Sequence, residues 1–226
     1  MENRTILEFL SQYPVFANLT VEEFSTIIDK VDIKNYKKNQ HIYCEGDHSD
    51  RIYFLAKGSV KLSSIDQDGR EFIKAILHPM ALFGETSIGS QKYRSENAIC
   101  LEAHISVASI AVKDLKILMI QNRVLSNNII KMLSDKVLQS EHKYQHLIFK
   151  DARSRIIEFL KESAEKQGRQ VGLEMLVKHT LTQQDIANIT GTSRQTVTSV
   201  LNELKKDNLI HFDRRRILIR DLEKLA

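Results

Sequence analysis

Residues 181–201 decide the fold of the C-terminal third of the chain. They are Leu181-Thr-Gln-Gln-Asp-Ile-Ala-Asn-Ile-Thr-Gly-Thr-Ser-Arg-Gln-Thr-Val-Thr-Ser-Val-Leu201. The pattern predicts two short helices that meet at Gly191, because glycine adopts the positive φ of a tight inter-helix turn without steric cost. The stretch therefore indicates a helical hairpin.

Both helices have a starting signal. Thr182 and Asp185 have the spacing of a capping box, and Thr192 and Gln195 repeat that spacing before the second helix. We therefore expect the first helix to follow Thr182 and the second to follow Thr192.

The second helix has one apolar and one polar face. The apolar face holds Val197, Val200, Leu201 and Leu204. The polar face holds Arg194, Gln195, Thr198, Ser199 and Asn202. In the DNA major groove, arginine pairs with guanine and glutamine with adenine through two hydrogen bonds each. The helix is interpreted as a DNA-recognition helix, and a helical hairpin with a solvated polar face is the alternative.

A basic hairpin follows this helix. Residues 209–212 and 217–219 have the composition of two strands, and their turn carries Asp213, Arg214, Arg215 and Arg216. This is the pattern of a wing that contacts phosphate, and a solubilising turn is the alternative. Residues 150–226 contain 15 Lys and Arg against 11 Asp and Glu, and residues 1–149 contain 18 basic against 18 acidic residues. The formal net charge of +4 therefore lies where a polyanion would bind.

Length and composition bound the remaining possibilities. The 226 residues are 42% hydrophobic and 27% charged, which suits a two-domain globular protein. We expect a cytoplasmic protein, because no apolar run approaches the roughly 20 residues of a membrane span and no secretory signal begins the sequence. Cys44 and Cys100 are far apart, which suits a reducing compartment and argues against a thiolate metal centre.

The chain changes character three times. Residues 1–30 have a helical pattern, with a helix start at Thr20. From Val31 to about Ala111 short β-rich runs alternate with glycine-containing turns, which predicts an antiparallel barrel or roll. The clearest runs are residues 41–44, 51–55, 59–62, 71–76 and 105–110, with turns at 45–47, 57–58 and 66–69. Three segments are expected: residues 1–111, 112–150 and 151–226.

The middle segment carries a heptad pattern. The positions of its a/d seam alternate in steps of three and four residues: Ile130, Leu133, Val137, Ser140, Tyr144 and Leu147. Such a seam favours pairing with the same helix of a second copy, and packing onto its own domain is the alternative. A homodimer would place two recognition helices on half-sites roughly 34 Å apart. The helix is expected to break near residues 149–152, with Asp151 capping the next helix.

Residues 82–95 form a second candidate site. Gly84 permits close backbone approach, and residues 85–88 predict a short helix whose N–H groups face an anion. Arg94 would supply a forked cation, Ser95 a hydroxyl donor and Glu85 an acceptor for a sugar hydroxyl. These residues together suit a ribose phosphate.

The chain resembles the Crp/Fnr family of bacterial transcription regulators in a series of short segments that occur in the same order. The matching segments are residues 45–46, 57–60, 68–71, 83–85, 94–95, the long helix, 147–153 and the helix-turn-helix. The resemblance runs from about Val15 to Asp221. It implies an α+β fold with a cyclic-nucleotide-binding-like antiparallel β-roll, a long dimerisation helix and a C-terminal winged helix-turn-helix.

The resemblance also implies site residues and partners. Effector contacts are expected from Gly84, Glu85, Thr86, Arg94, Ser95 and Ser140, and the effector itself is expected to be cyclic AMP or another cyclic nucleotide. DNA contacts are expected from Thr182, Gln184, Ser193, Arg194, Gln195, Thr198, Ser199 and Arg215. The partners are a two-fold symmetric double-stranded DNA site, a second copy of the chain and RNA polymerase, with no membrane involved.

This chain departs from the family at several positions. Met80 and Ala81 replace a Gly-Asp turn that the family commonly has before residues 82–95. Ser199 stands where an arginine is common, which indicates an altered target sequence. The family's oxygen sensors need a cysteine cluster, and residues 1–43 contain no cysteine, so no iron–sulfur cluster is expected.

Other functions remain open at this point. The sequence contains no nucleophile elbow, P-loop or HExxH motif, so no enzyme and no catalytic residue is expected. His142 and His146 are four residues apart, but they fall outside the seam and are interpreted as solvated, so no metal site is expected. A Crp/Fnr-type regulator that senses haem, another small anion or nothing is the alternative. A third possibility is a cyclic-nucleotide-binding module that signals to protein partners.

Overall fold

The computed structural model describes residues 8–89, 91–213 and 215–225. The chain divides into two compact units. The first comprises the chain up to Ser64 together with Lys74–Ser140, and the second comprises Ile65–Ile73 together with the chain from Glu141 onwards. The division into functional segments at residues 111 and 150 stays a prediction.

The first unit is an antiparallel β-roll. Its strands are β1 (Val31–Tyr36), β2 (His41–Tyr43), β3 (Arg51–Lys57), β4 (Val60–Ile65), β5 (Glu71–Leu77), β6 (Leu82–Phe83), β7 (Asn97–Cys100) and β8 (Ile105–Ala111). The last residue of β4 and the first three residues of β5 are counted with the second unit. They form two sheets with the orders β1-β8-β3-β6 and β2-β7-β4-β5. The roll predicted from the short β-rich runs is confirmed. Both cysteines are free thiols.

Strand β3 separates the two cores of this unit. Successive side chains of a strand point to opposite faces, so Ile52 and Phe54 join the core beneath the helices. Tyr53 and Leu55 join the core inside the roll. Because both faces are covered, the strand has a nearly continuous apolar sequence instead of an alternating one.

Among the described residues, three helices of eight residues or more pack on the outer face of the roll, α3 through its N-terminal half. They are α1 (Val21–Ile28), α2 (Val112–Gln121) and α3 (Arg123–Phe149). The expected capping box of Thr20 and Glu23 opens α1. Only Leu125 and Ile129 of α3 are buried, so most of this 27-residue helix presents its side chains to solvent. Among the described residues, no helix has the length and apolar character needed to cross a membrane.

The second unit contains a helical hairpin and a four-stranded sheet. Its helices are α4 (Ala152–Gln167), α5 (Gln183–Thr190) and α6 (Arg194–Lys206), and its strands are β9 (Arg169–Val171), β10 (Glu174–Lys178), β11 (Ile210–Asp213) and β12 (Arg216–Ile219). The sheet order is β11-β12-β10-β9. The predicted hairpin of β11 and β12 is confirmed, and β10 adds a second neighbour to β12 that the sequence analysis did not include.

Asp151 caps α4 as expected. Its carboxylate accepts a hydrogen bond from the N–H of Ser154 at 2.7 Å. The long helix therefore ends at Phe149, and a new helix begins two residues after Lys150.

The helical hairpin follows the predicted signals at its first helix and departs from them at its second. Thr182 and Asp185 form the capping box of α5, and Gly191 ends α5 in the left-handed conformation at φ 61°. The expected capping box of Thr192 and Gln195 is wrong. The N–H of Thr192 still bonds back to α5, at Ala187 O, so α6 begins one residue later with Ser193 as its cap.

Candidate functional site

A buried guanidinium lies at the centre of the β-roll. Arg94 is 4% exposed. Its Nη1 donates to Gly84 O at 3.1 Å, and its Nη2 donates to Arg51 O at 2.5 Å. The guanidinium carbon lies 4.4 Å from the ring centroid of Tyr43 and 5.5 Å from that of Tyr53. Arg94 is therefore held by two carbonyl oxygens and two aromatic faces.

Among the described residues, the charge of Arg94 has no anionic partner. Within the described part of the chain, no carboxylate oxygen lies within 4.0 Å of the guanidinium, and its buried Nε has no hydrogen-bond partner. A buried donor without a partner costs about 1–3 kcal/mol. The arrangement suits an anion that would approach the Nε edge and complete the charge pair.

Gly84 allows this arrangement. Its φ of 76° lies in the left-handed region. A Cβ built there would lie 2.8 Å from Arg94 Nη1 and 3.1 Å from the ring of Tyr53. Both the backbone conformation and the space therefore require glycine at this position.

Glu85 is paired with the long helix. Its Oε1 lies 2.8 Å from Lys136 Nζ, and the same ammonium donates to Leu82 O at 2.8 Å. Lys136 was not identified from the sequence, because its position on α3 gives no sign of which loop it meets. The carboxylate expected to accept a sugar hydroxyl is therefore already bonded to α3.

A second carboxylate lies inside the roll. Glu96 is 8% exposed and accepts hydrogen bonds from Tyr43 Oη at 3.1 Å and from Lys74 Nζ at 2.7 Å. Burial, followed by the charge of Glu96, raises the pKa of Tyr43 well above its usual range. Tyr43 therefore remains a protonated donor. Tyr43 and Tyr53 were not predicted from the sequence because their strand pattern signals only core positions. Glu96 lies in the bend before β7 and has no motif of its own.

The other three expected effector residues lie at the surface. Thr86 and Ser95 are exposed. The buried hydroxyl of this loop belongs instead to Ser87, which donates to Gly84 O at 2.6 Å. Ser140 is exposed, and its hydroxyl bonds to Lys136 O of its own helix at 2.9 Å. Of the six residues, Gly84, Glu85 and Arg94 are those that meet at the interior of the roll.

The turn before this loop is unusual at Met80. Its φ is 75°, a region that favours glycine and costs a bulky side chain about 1–2 kcal/mol. The N–H of Met80 donates to Leu55 O at 3.0 Å, and Leu55 N donates to Ala81 O at 2.9 Å. These paired bonds hold the glycine-like turn although this chain has methionine there.

Helix α6 has the two faces that its sequence predicts. Its buried residues are Val197, Val200, Leu201 and Leu204. Its exposed residues include Arg194, Gln195, Ser199 and Asn202. The exposed face is polar and carries an arginine and an amide at its N-terminal end, as base-reading helices do.

Two of the expected DNA contacts have structural partners. Thr198 is half-buried, and its hydroxyl lies 2.7 Å from Gln183 Oε1 of α5 and 2.9 Å from Arg194 O. Ser193 caps α6 through Thr196 N at 3.0 Å. Thr198 therefore joins the two helices of the hairpin, and Ser193 fixes where the second helix begins.

The remaining expected DNA contacts are exposed. Thr182 and Gln184 lie at the start of α5, and Arg215 lies in the turn of the wing. The wing is anchored by the N–H of His179, which donates to Arg215 O at 3.1 Å. Burial lowers the pKa of His179, which favours the neutral form of its ring. Arg214, also expected in the wing, lies outside the described residues.

Arg155 holds the helical hairpin to the end of the long helix. Its Nε donates to Thr190 O at 2.8 Å and its Nη2 to Gly191 O at 3.1 Å, both at the turn between α5 and α6. Its Nη1 donates to Lys150 O at 2.7 Å. One guanidinium of α4 therefore links the turn at Thr190 and Gly191, here called the recognition turn, to the break after α3.

Comparisons with known proteins match both parts of the chain. A model for a Crp-like helix-turn-helix domain matches residues 154–226, and a model for a cyclic nucleotide-binding domain matches residues 33–122. A global nitrogen regulator of Synechocystis sp. is 30% identical over 198 residues, which are 83% of this chain and 84% of that protein. The chain belongs to the Crp/Fnr family.

Other Crp/Fnr proteins match over most of their length. A CRP-like cAMP-activated global transcriptional regulator of Mycobacterium tuberculosis is 26% identical over 219 residues, 97% of both chains. FixK2 from Bradyrhizobium japonicum has the same fold, with a TM-score of 0.77 at 22% identity over 86% of this chain and 95% of that one. The predicted Crp/Fnr architecture is confirmed, and this chain is a transcription regulator with a DNA-binding helix-turn-helix domain.

We expect Gly84→Ala to destabilise this Crp/Fnr protein more than Gly46→Ala does. Both glycines have positive φ, but a Cβ at Gly46 meets nothing within 4 Å, whereas one at Gly84 meets Arg94. The difference in unfolding free energy, measured by urea denaturation, should be about 1–3 kcal/mol. Equal losses in the two variants would show that the guanidinium does not require this close approach.

Proposed function

We propose that this protein is an effector-responsive, sequence-specific regulator that binds DNA as a homodimer and senses a cyclic nucleotide. The exposed polar face of α6, with Arg194 at its first turn, is the observation that supports sequence-specific reading. RNA polymerase as a further partner rests on the family resemblance alone.

In the proposed complex, α6 enters the major groove. Arg194 pairs with guanine, Gln195 hydrogen-bonds adenine, and Ser199 contacts a base without the reach of an arginine. Thr182, Gln184, Ser193 and Arg215 contact the phosphate backbone, which fixes register without reading sequence. Thr198 holds the exposed polar face of α6 in place through its hydrogen bond to Gln183 of α5.

The proposed dimer forms along α3. Large apolar side chains on its heptad positions are exposed in the single chain: Ile130 is 59% exposed, Val137 58% and Tyr144 66%. Pairing these positions with those of a second copy would remove them from water and gain roughly 25 cal/mol per Å² of apolar surface. A two-fold helix pair would also place two α6 helices on a symmetric DNA site.

The proposed effector binds at Arg94. The buried Nε without a partner, and the absence of a carboxylate near the guanidinium in the described chain, favour a bound anion such as a cyclic phosphate. A ribose hydroxyl bound to Glu85 would compete with Lys136 for that carboxylate. Binding would therefore alter the link between the loop and α3 and shift the population of DNA-binding conformations.

A specific observation favours a second possibility. Arg94 stacks on Tyr43, and Tyr53 stacks on Phe83 at 5.1 Å between ring centroids. These contacts join the side chains of the effector loop to the core inside the roll. A regulator whose roll uses this packing for stability alone, and which senses no nucleotide, is the alternative.

For the DNA interface, Arg194→Ala should weaken binding to the selected target by about 1–3 kcal/mol, because a bidentate guanine contact is lost. Binding to random duplex should stay unchanged. The target is first obtained by selection from a random library, and affinities are measured by fluorescence anisotropy at fixed salt.

Lys206→Ala is the matched control for Arg194→Ala, since Lys206 is exposed at the opposite end of α6. It should affect target and random DNA alike. An equal loss on both DNAs for Arg194→Ala would contradict base reading by this arginine.

For the dimer, Val137→Asp should convert the protein to a monomer in sedimentation equilibrium, because a charge at the centre of the apolar seam would be buried without a partner. Leu138→Asp is the control, since Leu138 is 55% exposed and lies one residue outside the seam. The dimer proposal fails if both variants sediment as the wild type does.

For the effector, isothermal calorimetry with cyclic AMP and cyclic GMP should show binding to the wild type that Arg94→Gln weakens roughly tenfold to a hundredfold, the range for loss of a charged hydrogen bond. Lys92→Gln removes an exposed cation of the same loop and should leave affinity unchanged. Circular dichroism verifies folding of both variants. If neither nucleotide gives a heat of binding with the wild type, the cyclic-nucleotide proposal fails and the alternative without a nucleotide is favoured.

A further inference from the structure

Three metal-ligating side chains meet beside the break between α3 and α4. His146 lies in the last turn of α3, and Glu158 and Glu162 occupy successive turns of α4. One ligand atom from each of the three residues lies within 4.8 Å of those of the other two. All three residues are half-buried, so these atoms face one another at the junction of the two helices.

Two cations already lie beside these side chains, and one of them, Lys166, has its Nζ 2.8 Å from Glu162 Oε2. Lys150 Nζ is 3.2 Å from His146 Nε2 and 2.9 Å from Glu158 Oε2. An ammonium group only donates hydrogen bonds, so His146 presents the lone pair of Nε2 to it. An imidazole lone pair and a carboxylate oxygen directed at one positive charge are also the arrangement that binds a metal ion.

We propose that His146, Glu158 and Glu162 bind a divalent first-row transition metal ion, Zn²⁺ above the others, when Lys150 swings out of the cluster. One imidazole and two carboxylates suit Zn²⁺, and three protein ligands leave a coordination position for water. Mg²⁺ is a poor fit because it prefers oxygen ligands and octahedral geometry. The lysine chain is long enough to return its ammonium to solvent.

The site lies where a metal ion would restrain the hinge. Its ligands come from both sides of Lys150 and Asp151, the two residues between α3 and α4. The carbonyl of Lys150 is also bonded to Arg155, which holds the turn of the helical hairpin. A bound ion would therefore fix α4, and with it the recognition turn, against the last turn of α3.

This site was not predicted from the sequence. The spacing of His142 and His146 suggested a pair on one helix, and their heptad positions favoured solvated side chains. His142 is indeed exposed, but His146 finds its partners on the next helix, 12 and 16 residues along the sequence. That pairing depends on the angle between α3 and α4, which no periodicity encodes.

The experiment measures Zn²⁺ binding to the full-length protein by competition with a chromophoric chelator. A Cys44→Ser background removes the thiol that lies 3.3 Å from His41 Nδ1 and is itself a potential zinc ligand. In this background, His146→Ala and Glu158→Gln should each weaken the site by at least about tenfold, whereas His142→Ala should bind as the parent does. Mg²⁺ should not compete.

Lys150→Met tests the proposal in the opposite direction. It removes the ammonium that is bonded to His146 and Glu158 while retaining chain length, so the affinity for Zn²⁺ should rise. The ammonium of Lys166 stays bonded to Glu162 in parent and variant alike. Circular dichroism and thermal melting without metal show whether each variant is folded. Equal stoichiometry and affinity for the parent, His146→Ala and Glu158→Gln would overturn the proposal, as would a Lys150→Met variant with lower affinity. Neither result bears on nucleotide binding at Arg94.

Discussion

A single buried positive charge organises the β-roll. The guanidinium of Arg94 bridges the carbonyls of Gly84 and Arg51 and stacks on two tyrosine rings. A desolvated cation–π contact contributes on the order of 2 kcal/mol, and the carbonyl bonds reduce the cost of burying the charge. Because Gly84 has no Cβ, the loop after β6 comes close enough to accept its bond. The shape of the candidate effector site depends on this side chain.

The same loop carries the link to the long helix. Glu85, next to the glycine that Arg94 requires, is bonded to Lys136 of α3. In the proposed mechanism an anion at Arg94 and a sugar at Glu85 would therefore act on α3 through one ion pair. Further along, α3 carries the exposed apolar seam, and its end is held by Arg155 to the recognition turn. A metal ion at His146 would act on that end and not on the roll.

Local features of the sequence predicted the elements well. Gly191 required a left-handed turn, and the spacing of Thr182 and Asp185 described a capping box, because both signals involve residues fewer than four positions apart. Thr192 was misjudged for a related reason. Its N–H donates to Ala187 O of the preceding helix. The capping-box spacing considers only residues that follow the threonine, so it does not predict that bond. Strand β10 was not predicted from the sequence, because it pairs with β12, about 40 residues later in the chain.

The sequence by itself determined the family, the order of the elements, the reading face of α6 and the presence of an arginine, a glycine and a glutamate in the effector loop. Periodicity, caps and turns depend on residues that are close together in the sequence, so they can be predicted from the sequence. Tertiary structure alone decided that Arg94 stacks on Tyr43, that Glu85 meets Lys136 and that His146 meets Glu158. These contacts join residues on different elements, and their energies depend on distances that exist only once the cores have packed.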